Sequence, residues 1–178
     1  PHHVPTEWAD RYAGRFDAGW DSLRESTFAQ QKELGVIPAD AELTSRHDEI
    51  TAWDDMPEQL KPVLARQMEV YAGFLEHTDH HIGRLIDALD ELGVLEDTLV
   101  YYIIGDNGAS AEGTVNGTFN ETFIFNGAAA LETPEFVASR IDDFGTPAAS
   151  IAGPSCCPPA ASFCATAYHV GQFFHAGG

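Results

Sequence analysis

The chain has 178 residues and 19.3 kDa, with 9 Lys+Arg against 28 Asp+Glu, a formal charge of −19. That balance excludes the usual phosphate-neutralising nucleic-acid binder, which needs a basic surplus. A hydrophobic content of 44% excludes wholesale disorder, and no run of eighteen or so apolar residues reads as a membrane span. The charge is uneven: no Asp, Glu, Lys or Arg follows Asp143, and Cys156, Cys157 and Cys164 all lie in that neutral tail.

The chain opens without Met, at Pro1-His2-His3-Val4-Pro5, and shows no signal-peptide pattern. It is read as a processed product or a fragment, which leaves localisation open. Residues 6–19 mix Trp8, Tyr12 and Phe16 with a stop at Gly19. Trp20 to Leu34 reads as a helix with Trp20, Leu23, Thr27, Gln30 and Leu34 on one face and Gly35 at its end. Residues 36–57, with Pro38, Trp53 and Pro57, are long for a loop, so part of them is expected to cover another element.

The strongest periodicity runs from Pro62 to Leu92. Leu64, Met68, Tyr71, Leu75, Ile82, Leu85, Ile86, Leu89 and Leu92 recur at three- and four-residue steps, with Pro62 in the first turn and Gly93 at the end. Thr98-Leu99-Val100-Tyr101-Tyr102-Ile103-Ile104 follows, a β-branched and aromatic run that predicts a buried strand of a parallel sheet. Helix, turn and strand are half of a βαβ unit, so the fold class is α/β. Thr133-Pro134-Glu135 predicts a short capped helix ending near Gly145.

Five groups of residues could carry chemistry. Asp106 and Asn107, delivered by the strand into a glycine turn, offer a carboxylate and an amide carbonyl, hard oxygen donors suited to Ca2+ or Mg2+. Taken alone, the tetrapeptide Gly105-Asp106-Asn107-Gly108 reads as a turn. His2 or His3 could assist an anionic leaving group; taken alone, they read as a terminal pair. Glu76/His80 and His77/His81 share helix faces at a spacing that would suit a zinc pair, but the pattern is not His-Glu-x-x-His, and the expected reading is a solvated polar face. Asn116-Gly117-Thr118 and Asn120-Glu121-Thr122 fit the glycosylation triplet and are taken as loop signals. Cys157-Pro158-Pro159-Ala160 is the fifth.

In order and spacing these motifs resemble a type I sulfatase of the bacterial arylsulfatase kind, in the alkaline-phosphatase superfamily. Pro1-His2-His3-Val4-Pro5 is similar to the family's Ala-Pro-His segment, and Arg11-Tyr12-Ala13-Gly14-Arg15-Phe16-Asp17-Ala18-Gly19-Trp20-Asp21 to the stretch that follows it. Met68-Glu69-Val70-Tyr71-Ala72, Asp79 and Ile82-Gly83-Arg84-Leu85 look like the helix before the metal strand, and Gly105-Asp106-Asn107-Gly108 matches the metal motif. The resemblance covers residues 1–149. It implies a partial alkaline-phosphatase/sulfatase-like mixed sheet flanked by helices, incomplete in this chain.

By the same resemblance, Asp106 and Asn107 are two ligands of the active-site cation, usually Ca2+ with Mg2+ the alternative. His2 contacts the sulfate ester, with His3 the competing choice. The formylglycine nucleophile, made from Cys or Ser before x-Pro-Ser/Ala-Arg, is expected in an N-terminal part preceding Pro1. Cys157-Pro158-Pro159-Ala160 has Ala161 where the Arg belongs and follows the metal strand, so Cys157 is not read as a nucleophile. The family's downstream Lys is also missing, since no Lys follows Lys61.

The implied function is metal-assisted hydrolysis of a small-molecule sulfate ester in the parent enzyme, with this chain inactive alone. The alternatives are a phosphodiesterase or phosphonate-ester hydrolase of the same superfamily, and a truncated, non-enzymatic acidic interaction module. Residues 150–178 read as a divergent tail, of the composition that out-of-frame translation of a GC-rich gene gives.

Overall fold

The computed structural model describes residues 2–103 and 118–149. Within them the architecture is helical: α1 (Thr6–Ala9) runs into a 3-10 turn at Asp10–Tyr12, followed by α2 (Gly19–Glu33), α3 (Lys61–Glu91), α4 (Glu121–Phe125) and α5 (Pro134–Ala138), with further 3-10 turns at Leu95–Asp97, Ala129–Leu131 and Ile141–Asp143.

α3 is the spine. Its 31 residues make it about 46 Å long at 1.5 Å per residue. Pro62 lies in the first turn, where its missing N–H costs nothing. Gly93, at φ +69°, turns the chain away after Leu92. The expected boundaries hold to within a residue.

The N-terminal half of α3 is buried around most of its circumference, from Val63 through Gly73. Two clusters cover it. On one side Val63 and Val70 pack with Val4, Trp8, Ala9, Phe119, Phe144 and Ala149. On the other, Leu64, Ala65 and Met68 pack with Trp53 and Met56.

The long connection after α2 covers another element, as its length predicted. Trp53 and Met56 are both 6% exposed. Trp53 stands edge-on to Trp20 with ring centroids 4.8 Å apart, and its N–H donates to Asp21 Oδ2 at 2.8 Å. Gly19, at φ +74°, lies so close under the Trp53 ring that an added Cβ would fall 2.0 Å from it. The glycine is therefore needed twice, for its φ and for the space.

α2 itself is displaced by one position from the expected face. Thr27 and Gln31 are buried, whereas Gln30 and Leu34 are exposed. A 3.6-residue turn carries a face from Thr27 to Gln31, and Gln30 falls off it.

Thr98–Ile103 departs from the buried strand expected there. These residues lie in neither helix nor strand, and Leu99, Tyr101 and Ile103 are 76%, 77% and 88% exposed. An interior strand needs ladder partners and packing on its faces. Among the described residues no strand lies beside this run. Ile104 lies outside the described residues.

α5 carries the expected cap: Thr133 Oγ1 accepts from the Phe136 N–H at 3.2 Å, with Pro134 in the first turn. The helix stops at Ala138, short of Gly145, and the 3-10 turn Ile141–Asp143 fills the interval.

Candidate functional site

Of the residues singled out for catalysis and metal binding, the structure places His2 and His3. Asp106, Asn107, Cys157 and the rest of the tail from Ser150 lie outside the described residues.

His2 and His3 are drawn to different neighbours. The His2 ring stands edge-on to two α3 side chains, Tyr71 and Phe74, at 5.1 Å from each. Residues Tyr71 and Phe74 lie three apart on the helix and form one aromatic wall. His3 instead donates from Nε2 to the Ala149 carbonyl at 3.0 Å. The Val4 N–H donates to the Gly145 carbonyl at 2.9 Å, and Val4 is buried. Gly145, at φ +83°, brings its Cα within reach of Val4 and Val70; an added Cβ would lie 3.4 and 3.3 Å from their methyls. The opening segment is thus pinned between α3 and the 145–149 turn, with His2 on the helix side.

A network of charges fixes residues 10–14, directly after α1, to α3. Glu69 is 7% exposed. Its Oε1 accepts the Gly14 N–H at 2.9 Å and its Oε2 accepts from Arg66 at 2.8 Å. Arg66 also donates to Asp10 at 2.9 Å. Burial works against the Arg66 charge, but the bonds to Glu69 and Asp10 outweigh it and raise its pKa further. Gly73 completes the junction: α1 crosses so closely that a Cβ there would meet the Ala9 backbone N at 2.6 Å. The spacing of apolar residues does not reveal this ion network, because Arg66, Glu69 and Asp10 are ordinary surface types; a glycine inside a helical pattern, as at Gly73, signals only the close crossing of α1.

Glu132 makes a second clamp. Its carboxylate accepts the Thr118 hydroxyl at 2.7 Å and the N–H groups of Phe119 at 2.9 Å and Asn120 at 2.7 Å. Phe119 is thereby held in the core against Phe136 and Phe144. Asn120 behaves as a turn residue: its Oδ1 accepts from the Thr122 N–H at 2.9 Å and hydroxyl at 2.6 Å. Asn116 lies outside the described residues.

The histidines of α3 are brought together. His77 Nε2 and His81 Nε2 are 2.9 Å apart, and Arg84 lies 3.0 Å from His81 Nδ1. The cost of desolvation, then the neighbouring His77, Arg84 and His80, lower the His81 pKa. Glu76 is turned to Arg11 at 2.9 Å. Arg11 in turn lies over the Trp8 ring at 3.7 Å. Among the described residues no group of three or more His, Cys, Asp or Glu is arranged to hold a metal.

The sulfatase family model matches residues 1–147. The chain therefore belongs to the sulfatase family, whose members act on sulfate esters and are generally metal-dependent. It is 39% identical over 117 residues to an uncharacterized sulfatase of Schizosaccharomyces pombe, covering 65% of this chain and 20% of that protein. It is 31% identical over 111 residues to an arylsulfatase of Klebsiella aerogenes, covering 62% of this chain and 23% of that enzyme. The chain thus spans about a fifth of the length of these relatives. No helix among the described residues is long and apolar enough to cross a membrane.

Proposed function

We propose that this chain is the central segment of an arylsulfatase-like hydrolase, and that it contributes one histidine and two metal ligands to the active site of the whole protein. The observation that carries the reading is the sulfatase family match, which runs from the first residue to residue 147 and spans both His2 and the Asp106-Asn107 pair.

His2 is the active-site histidine in this reading, and His3 is the structural one. The positions of the two rings support the division: His3 is committed to the Ala149 carbonyl, while His2 rests against an aromatic wall that sets the direction of its imidazole. A histidine so held can donate a hydrogen bond or a proton to the departing ester oxygen.

Asp106 and Asn107 would hold the divalent ion, since a carboxylate and an amide carbonyl are hard oxygen donors that fit Ca2+ or Mg2+. Such an ion, when bound, offsets the charge of the transferring sulfate group. The formylglycine nucleophile belongs to a part of the protein preceding Pro1, and the chain by itself is inactive. Thr98 to Ile104 becomes a strand of a mixed α/β sheet once neighbouring strands flank it.

The test is turnover. The complete protein that carries this segment is expected to hydrolyse nitrophenyl sulfate, and His2→Ala or Asp106→Ala to lower its kcat by about a hundredfold or more. The isolated chain is expected to show none. Preference for bis(nitrophenyl) phosphate over the sulfate would instead assign the phosphodiesterase branch of the superfamily.

A further inference from the structure

His77 and His81 lie one turn apart on α3, and their Nε2 atoms approach to 2.9 Å. The proton between them can be assigned. Arg84 Nη1 lies 3.0 Å from His81 Nδ1, and a guanidinium only donates. His81 Nδ1 is therefore the lone-pair nitrogen and Nε2 carries the hydrogen, which it donates to Nε2 of His77. Both rings are neutral, and one proton occupies the gap between two imidazole nitrogens. His77 is further fixed by Trp8 of α1, which it meets edge-on at 5.1 Å.

We propose that His77 and His81 chelate a divalent transition ion of the Cu2+ or Ni2+ class through their two Nε2 atoms, with water filling the remaining positions. The separation suits such an ion. Two nitrogens 2.9 Å apart, each about 2.0–2.1 Å from a metal, subtend about 90° at it. That is the cis angle of a square-planar or tetragonal centre. Imidazole is a suitable ligand for either ion. The chain's charge of −19 adds a favourable field for a cation.

Binding exchanges the His77–His81 hydrogen bond for two metal bonds. The His81 Nε2 proton leaves to water and Nδ1 takes one from water, so neutral rings bind with no net proton release. The resulting Nδ1–H faces the Arg84 guanidinium, which offers no acceptor, so the exposed Arg84 side chain turns away. Arg84 is thus an opponent of the site. Glu76 is engaged by Arg11 and is not counted as a ligand. Neither His77 nor His81 belongs to the proposed active site, and the proposal does not rest on that reading.

The test is a Ni2+ titration of the chain with its cysteines alkylated and its terminal amine acetylated, which removes chelation by Pro1-His2-His3, followed by tryptophan fluorescence, since Trp8 adjoins His77. The expected result is saturable quenching at one ion per chain. His81→Gln, an exposed change, should raise the Kd about tenfold or more, His47→Gln should leave it unchanged, and Arg84→Gln, which supplies an acceptor to Nδ1–H, should tighten it about tenfold. In parallel, Ni2+ should raise the Tm of the helical circular-dichroism signal in the chain and not in His81→Gln. Absence of saturable quenching, or equal Kd values for the chain and His81→Gln, would overturn the proposal.

Discussion

Gly73 and Gly83 lie on the same helix under opposite constraints. At Gly73 a methyl would strike the Ala9 backbone, which has no rotamer to move; at Gly83 nothing lies within 4 Å. Gly73→Ala is therefore expected to destabilise by about 2 kcal/mol through overpacking, and Gly83→Ala to stabilise by about 1 kcal/mol through helix propensity. Paired urea melts check both signs. His81 gives a second prediction at this scale. Its folded pKa lies below its unfolded value, so the folded state resists protonation that the unfolded state accepts. Stability is full above about pH 6.5 and falls as pH drops through that value toward the folded pKa. A Tm series from pH 8 to 5 should show the fall, and His81→Gln should flatten it, with His77, His80 and Arg84 as the groups that oppose the charge.

At the scale of elements, α3 was legible in the sequence because a repeat carried over so many turns overrides local ambiguity. Its partners were less so. The first half of α3 is buried nearly all round because α1 and the 119–149 region together cover one side and the 53–56 segment another, and one stripe of apolar residues does not announce two sets of neighbours. The Arg66–Glu69–Asp10 network was not legible, since charges read as solvent-facing until a tertiary contact encloses them. Its disruption should be costly: Glu69→Ala leaves the Gly14 N–H without its acceptor and Arg66 with Asp10 as its remaining carboxylate, and a loss of about 2 kcal/mol is expected in chemical denaturation. Glu132→Ala should cost about 2 kcal/mol by releasing the Thr118 hydroxyl and two N–H groups, with a matching loss of protection at Phe119 in hydrogen exchange. The run from Thr98 shows the limit from the other side. Its composition is that of an interior strand, but a strand is defined by its neighbours as much as by its own residues.

For the whole molecule, the sulfatase family match and the helical scaffold describe a segment whose apolar surface is only partly enclosed. Leu85 and Leu92 on the second half of α3 are 61% and 74% exposed, next in the chain to the exposed run from Leu99. A surface of that kind associates. The isolated chain is expected to scatter as a species larger than 19.3 kDa, and Leu99→Lys with Ile103→Lys to reduce that mass. Half of the proposed site was legible as chemistry and half only as resemblance. Asp106-Asn107 declares oxygen donors by residue type, whereas His2 gains its meaning from the family pattern and, in the fold, from the α3 wall that separates it from His3.

The most direct measurement is nitrophenyl sulfate hydrolysis by the complete protein carrying this segment, beside its His2→Ala and His3→Ala variants. The account predicts that His2→Ala loses about a hundredfold or more in kcat with the fold intact, while His3→Ala loses stability and keeps most of its kcat. Full activity in His2→Ala, or collapse of kcat in a well-folded His3→Ala, would contradict it.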